Sequence, residues 1–150
     1  MDNVQRILVL DQIANESFCA YCSGYLGDSF KYQPDCCEHN HHSNLPRGRA
    51  CQVCNQCERV ARQKVYRRWR QKYNFLPENP DKATVKTFGK QRYHKFLQEI
   101  ANYLIATYPR VRLAWGKKKK QLAKMLQGVA SLDEYNRIPY PKHQVVPSEI

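Results

Sequence analysis

Two cysteine pairs with the same spacing constrain the fold of this chain more than any other feature. Cys19 and Cys22 form one Cys-x-x-Cys pair, and Cys51 and Cys54 form the second. A two-residue spacer lets one tight turn present both sulfurs to the same ion, and zinc takes four thiolates in a tetrahedron. The sequence therefore predicts a closed structural zinc site at these four cysteines. Because a closed site has no open coordination position, any chemistry must come from polar residues between the pairs.

The three remaining cysteines leave other arrangements open. Cys57 overlaps the second pair, and Cys36 and Cys37 precede a group of histidines, so a different register or a second zinc site is a competing interpretation. The total of seven cysteines is odd, and no apolar leader follows Met1. We therefore expect reduced thiols in an intracellular protein, cytoplasmic or nuclear, rather than disulfides in an exported one.

The chain also carries a strong positive charge. Its 25 Lys and Arg residues outnumber its 13 Asp and Glu residues, which gives a formal net charge of +12. Chains of this kind commonly bind a polyanion, and no apolar run here approaches membrane-spanning length. Zinc-bound thiolates would add negative charge, so the polyanion should bind elsewhere. The basic residues concentrate in Arg59 to Lys72, Lys86 to Lys95 and Lys117 to Lys120.

The apolar spacing predicts an α+β chain that is mostly helical. An N-terminal helix is indicated by Val4, Ile7, Leu8 and Ile13, whose apolar stripe needs cover from the chain's own core or from a second subunit. Residues 23–49 are rich in turn formers, which favours short strands and turns. After Cys54 a basic amphipathic helix is predicted to end before Pro77; its apolar positions are Ala61, Val65 and Trp69.

The segment 77–81 contains two prolines and is the best internal boundary. Beyond it, one helix is predicted to end at Pro109 and a shorter one to be interrupted at Gly128. Their apolar positions are Tyr93, Leu97, Ile100 and Leu104, then Leu122, Met125, Leu126 and Val129. We therefore divide the chain into a zinc-containing region 1–76, a basic helical region 77–130 and an extended tail 131–150.

Three segments in fixed order resemble the phage recombination endonuclease VII family. They are Cys19-Ala20-Tyr21-Cys22, then Glu38-His39-Asn40-His41, then Arg47-Gly48-Arg49-Ala50-Cys51-Gln52-Val53-Cys54-Asn55, with Glu58 three positions later. That family has the same cysteine pairs, an Asp-His-Asp-His segment and an Arg-Gly-x-x-Cys-x-x-Cys-Asn segment followed by an acidic residue. The likeness covers residues 19–58, about a quarter of the chain.

The resemblance implies a zinc-stapled ββα-metal finger of the His-Me type with basic helical extensions. In such a finger the first strand would end near His39, and Asn55 would open the helix. His39 would be the general base, and Glu38 and Asn55 would hold a catalytic magnesium or manganese ion. His41 would orient the base or the scissile phosphate, and Glu58 would assist from the first turn of the helix.

Two positions depart from the family pattern. Glu38 stands where the family has a metal-binding Asp, and the extra methylene moves the carboxylate relative to His39. Asn40 replaces the second Asp, at a position that alternates away from the two histidines in an extended strand.

The implied activity is a metal-dependent DNA endonuclease that acts on branched DNA such as a four-way junction. Water activated by His39 would attack phosphorus and leave a 5′-phosphate and a 3′-hydroxyl. Two cuts per junction suggest a homodimer. The predicted DNA contacts are Arg47, Arg49, Arg62, Arg67, Lys117, Lys118, Lys119 and Lys120.

Two other functions stay open. An HNH-type nicking enzyme would share His39 and Asn55 but act on ordinary duplex, and a zinc-dependent nucleic-acid-binding protein would have no catalysis at all. In the latter case His39, His41 and His42 are solvated turn residues or ligands of a structural metal. We interpret Trp69 and Trp115 as core residues rather than base-stacking platforms.

Overall fold

The computed structural model describes residues 2–27 and 37–141, in which helix predominates. Cys36 and the tail beyond residue 141 lie outside these ranges. Along the chain, helix α1 (Asn3–Ala14) precedes strands β1 (Cys37–His39) and β2 (Pro46–Arg49). The helices that follow are α2 (Gln52–Lys72), α3 (Val85–Phe88), α4 (Lys90–Thr107), α5 (Pro109–Trp115), α6 (Lys119–Gln127) and α7 (Leu132–Arg137), with a 3₁₀ turn at Pro80–Lys82.

Helix α1 forms as the sequence predicts, and of the four residues in its predicted stripe Ile13 alone is buried. The Asp2 carboxylate caps the helix by accepting a hydrogen bond from the Val4 backbone N–H at 2.8 Å. Val9 and Ile13 are fully buried, together with Val129 and Tyr135. In contrast, the predicted stripe residues Val4, Ile7 and Leu8 are exposed.

Strands β1 and β2 form an antiparallel hairpin in which Glu38 lies opposite Gly48 and His39 opposite Pro46. The register shifts between Glu38 and His39. Gly48 permits close approach here, since a Cβ at this position would lie 3.0 Å from the Ala20 Cβ and 3.1 Å from Tyr140 Cε1. The Arg-Gly dipeptide therefore fits a strand pressed against the first cysteine turn.

Helix α2 follows the hairpin directly. It begins at Gln52 with Cys51 as N-cap, so Asn55 does not open the helix as the resemblance implies, and Glu58 lies in the second turn rather than the first. Ala61, Val65 and Trp69 are buried as predicted, and the helix ends before Pro77. This register directs Glu58 inward beneath the hairpin.

Helix α4 packs against both α2 and α6 and buries Tyr93, Leu97, Ile100 and Leu104, as its spacing predicts. A single hydrophobic cluster joins residues on both sides of segment 77–81, from Cys19 to Leu126. Trp115 takes part through its indole N–H, which donates to the Ala20 carbonyl at 2.9 Å. The cysteine region and the basic helical region therefore share one core.

The tail differs from its prediction as an extended segment. Residues Leu132–Arg137 form helix α7, which Ser131 caps by accepting from the Glu134 backbone N–H at 3.1 Å. Tyr135 anchors the helix because it is buried beside Val9 and Ile13. Tertiary burial thus stabilises a helix too short to form alone.

Among residues 2–27 and 37–141, no helix combines the length and the apolar character needed to cross a membrane.

Candidate functional site

The four predicted cysteines come together. The sulfurs of Cys19, Cys22, Cys51 and Cys54 all lie within 4.8 Å of one another, and those of Cys22 and Cys51 are 3.9 Å apart. Such spacing matches sulfurs that share one tetrahedral ion with metal–sulfur bonds of about 2.3 Å. The cluster could therefore hold a structural zinc ion, as the sequence predicts.

Backbone N–H groups surround these sulfurs. Tyr21 and Cys51 each donate to Cys19 Sγ at 3.4 Å, Gly24 donates to Cys22 Sγ at 3.4 Å, and Cys54 donates to Cys51 Sγ at 3.3 Å. These donors suit anionic sulfur, since they stabilise charge that a neutral thiol does not carry. The donor set fits a zinc ion held by thiolates.

The competing cysteine arrangement gains no support from the described residues. Cys57 is buried in the main hydrophobic cluster, and Cys37 packs against the smaller cluster around Val9. Neither belongs to the group of four sulfurs, and Cys36 lies outside the described ranges.

A buried ion-pair network links the hairpin to α2. Arg47 Nη1 lies 3.0 Å from Glu38 Oε1 and 2.9 Å from Glu58 Oε2, and all three side chains are at most 3% exposed. Glu38 also accepts from the Tyr21 hydroxyl at 2.7 Å, and Arg62 lies 3.4 Å from Glu58. Tyr21 belongs to the first cysteine turn, so this network touches the candidate zinc site.

The two carboxylates have unlike environments. Burial is the largest influence on Glu38 and raises its pKa to about 7, although Arg47 opposes this. Burial also acts to raise the pKa of Glu58, but the guanidinium groups of Arg47 and Arg62 outweigh it and leave that pKa below its ordinary value. Near neutral pH, a proton therefore binds to Glu38 in preference to Glu58, and Glu58 stays ionised.

His39 and His41 lie together at the surface above this network. Their rings stack with centroids 4.9 Å apart, and both residues are exposed. Partial burial and then Arg47 lower the pKa of His39, while partial burial and then Arg62 lower that of His41. Both imidazoles are thus neutral near pH 7 and able to accept a proton.

The residues beside these histidines are structural. Asn40 is fully buried, as predicted for a position alternating with His39 and His41; its amide donates to the Tyr93 hydroxyl at 2.7 Å and to the Leu126 and Gln127 carbonyls. His42 is buried too, with Nε2 3.2 Å from the Pro80 carbonyl and Nδ1 3.3 Å from the Tyr93 hydroxyl. A carbonyl only accepts, so Nε2 carries the proton and Tyr93 donates to Nδ1.

A second group of possible metal ligands involves the network. Ligand atoms of Glu38, His41 and Glu58 lie within 4.8 Å of one another. Two carboxylates suit magnesium or manganese, and each has lone pairs beyond those used by Arg47 and Tyr21. Asn55, the predicted partner of Glu38, is partly buried in the first turn of α2.

Three of the predicted DNA contacts are not on the surface. Arg47 and Arg49 are 1% exposed and Arg62 is 5% exposed, so these predictions are wrong. Arg47 and Arg62 pair with Glu58, and Arg49 donates to the backbone carbonyls of Glu16, Leu26 and Gly27. The other predicted DNA contacts are exposed; they are Arg67, Lys117, Lys118, Lys119 and Lys120.

Tyr21 is the site residue that sequence reasoning missed. Its place in the sequence, inside the first Cys-x-x-Cys pair, is the one signal that could have found it, because that turn packs beside the hairpin. The hydroxyl donates to Glu38, the position where the resembled family has the shorter Asp. Tyr21 thereby fixes the longer carboxylate.

No family model, curated protein or solved structure matches this chain. The likeness to the endonuclease VII family is therefore carried by the motif residues alone.

Proposed function

We propose that this protein is a metal-dependent DNA endonuclease. The observation that carries the proposal is an exposed His39 at the end of β1, stacked on His41, whose own ring lies with the Glu38 and Glu58 carboxylates in a group of ligand atoms within 4.8 Å of one another. The hairpin that bears His39 is followed at once by α2, and a possible zinc cluster ties the two together. This order of hairpin, zinc ligands and helix agrees with the ββα-metal finger of the resembled family.

In this proposal His39 takes a proton from the water that attacks phosphorus. An exposed imidazole is within reach of a phosphate lying on the hairpin, and its neutral form is the one needed of a general base. His41, stacked on His39, orients the base or the phosphate. Arg47 and Tyr21 hold Glu38 in place, and Arg47 and Arg62 hold Glu58.

The carboxylates of Glu38 and Glu58 would hold a magnesium or manganese ion, with Asn55 as a further oxygen donor. Such an ion supplies charge neutralisation at the oxygen that leaves phosphorus. The products are a 5′-phosphate and a 3′-hydroxyl.

Branched DNA is the proposed substrate, by resemblance, and a homodimer would provide the two cuts that a junction needs. The exposed Val4, Ile7 and Leu8 on α1 support an association between subunits, since such apolar groups gain by being covered.

The test is cleavage of a labelled four-way junction and its matched linear duplex in the presence of magnesium. The proteins compared are wild type, zinc-loaded His39→Ala and, as a matched control, His94→Ala, which alters an exposed histidine of α4. We expect paired nicks in the junction arms, a loss of at least about a hundredfold in rate for His39→Ala, and no loss for His94→Ala.

Other outcomes separate the alternatives. Equal nicking of junction and duplex would indicate the HNH-type nicking enzyme. Tight binding without cuts by wild type, in magnesium or manganese, would indicate a binding protein and overturn the proposal.

A further inference from the structure

A basic groove with an aromatic floor lies between the C-terminal end of α2 and helix α4. It consists of two adjoining depressions of about 530 and 490 Å³ that share Trp69, Tyr73 and Lys95. The remaining cationic side chains of the groove are Arg68, Lys72, Lys90 and Arg92. Glu99 is the carboxylate that lines it, and this group already accepts a hydrogen bond from the Trp69 indole.

An exposed aromatic ring stands at the edge of this groove. Phe75 is 55% exposed although its neighbour Leu76 is 2% exposed. The Leu76 backbone N–H donates to the Tyr73 carbonyl at 3.1 Å, which closes a tight turn around Phe75 after α2. The Phe75 ring lies 5.9 Å from that of Tyr73. A large exposed ring held in this way costs hydration free energy, which contact with another flat group would offset.

Cations surround the same rings. The Arg92 guanidinium lies 5.2 Å from the Tyr73 ring centre and 5.7 Å from that of Phe75, and Lys72 Nζ lies 5.4 Å from the Tyr73 ring. An exposed ring with basic groups beside it pairs a stacking surface with phosphate contacts. Strands of nucleic acid present both partners, a base face and a phosphate, in each nucleotide.

We propose that this groove binds an unpaired segment of DNA. A nucleobase stacks on Phe75 and Arg92, and phosphates contact Lys72, Lys90 and Lys95. Duplex DNA fits the groove less well, because the faces of its bases are already covered by stacking within the helix. The choice of DNA rests on the proposed function, and the groove adds to it a preference for substrates with unpaired nucleotides.

The position of the groove supports such a role. Glu58 and Lys72 are both in α2, fourteen residues apart, which at about 1.5 Å per residue places the groove about 20 Å from the carboxylates along the helix. A strand that leaves the histidines can therefore reach the groove within a few nucleotides.

The test uses the full-length, zinc-loaded chain with His39→Ala, without magnesium, and two ligands of equal length and charge. One ligand is a short oligothymidylate, and the other is the same backbone with abasic sites. In the variant Phe75→Trp, oligothymidylate should quench tryptophan fluorescence more than in the parent, whose Trp69 also lines the groove, and the abasic strand should cause no such additional quenching. By anisotropy, Phe75→Leu should weaken oligothymidylate binding roughly tenfold and leave abasic binding unchanged.

Charge is tested separately. Lys95→Gln, at a proposed phosphate contact, should weaken binding of both ligands, whereas the control Lys124→Gln, an exposed lysine of α6 outside the groove, should not. The proposal is overturned if the introduced tryptophan is insensitive to oligothymidylate or if Phe75→Leu binds both ligands as the parent does. Thermal melting of Phe75→Leu and Phe75→Trp controls for folding.

Failure of this inference is distinguishable from failure of the proposed function. If wild type cuts DNA while the groove variants bind as the parent does, the groove alone is excluded. If oligothymidylate binds the groove of a protein that cuts no DNA, the endonuclease proposal fails and the groove remains.

Discussion

At the scale of single residues, Arg47 joins three separate parts of the chain. Besides Glu38 and Glu58, it contacts α6, since its Nε donates to the Leu126 carbonyl at 2.6 Å. Burying a guanidinium group is costly unless its charge is paired, and here two carboxylates pair with it. The hairpin that carries His39 is thereby fixed against both α2 and α6.

His42 leads to a prediction of pH-dependent stability. Burial lowers its pKa to about 4, against 6.5 for an ordinary histidine. Between these pKa values the unfolded chain binds a proton at His42 and the folded chain does not. The stability that comes from the neutral His42 is therefore complete above pH 6.5 and is lost as the pH falls from 6.5 to 4. The free energy of unfolding of wild type should fall by about 3 kcal/mol more than that of His42→Gln over this interval. Urea denaturation at several pH values measures both, and parallel curves would exclude this role.

At the scale of elements, the hairpin is held by the turn that follows α6. The Val129 backbone N–H donates to the Pro46 carbonyl at 3.0 Å, and Asn40 donates to carbonyls at the end of α6. Gly128 sits in this turn with φ +87°, where a Cβ would lie 2.6 Å from Leu45 Cβ and 2.9 Å from its carbonyl oxygen. The hairpin and the helix end therefore meet backbone to backbone.

Substitution of Gly128 should destabilise this junction. Gly128→Ala combines positive-φ strain with a clash against backbone, and we expect it to cost about 2 kcal/mol or more. Gly116→Ala is the matched control, because Gly116 also has a positive φ, +59°, but a Cβ there meets nothing within 4 Å. Chemical denaturation should show Gly128→Ala less stable than Gly116→Ala by at least about 1 kcal/mol; equal losses would show that the close approach is unimportant.

At the scale of the whole molecule, the possible zinc cluster and the helical core support one another. Cys19 and Cys54 are buried in the same hydrophobic cluster as Phe96 and Leu104, and Trp115 of α5 hydrogen-bonds to Ala20 between the cysteines. Loss of one cysteine ligand should therefore also destabilise the helical core outside the cysteine turns.

Two cysteines of α2 provide the test of that coupling. Cys54→Ala should abolish the binding of one zinc ion per chain and lower the melting temperature, because the remaining thiols cannot close a tetrahedron. Cys57→Ala, three residues later, should retain the zinc at a cost of about 1 kcal/mol in stability. Metal analysis and thermal melting distinguish the two, and zinc loss from Cys57→Ala would favour the overlapping cysteine register.

The sequence alone determined the features that depend on residues close together along the chain. A Cys-x-x-Cys turn is a local feature, so its spacing predicts a metal site directly. The recurrence of Ala61, Val65 and Trp69 likewise predicts the buried face of α2 without knowledge of the elements that pack on it. Asn40 could be assigned to the opposite side from His39 because strand alternation is local.

The tertiary structure decided which charged groups are buried and which helix faces are covered. Arg47 and Arg62 are predicted phosphate contacts, yet both are buried: Arg47 meets Glu58 of α2 and the end of α6, and Arg62 pairs with Glu58 one turn earlier in the same helix. Val4, Ile7, Leu8 and Ile13 form the predicted apolar stripe of α1, yet of these four Ile13 alone is buried, and it packs together with Val9 near α7. The physical reason is that burial depends on contacts with residues distant along the chain. The spacing of residues within one helix or strand does not identify those contacts.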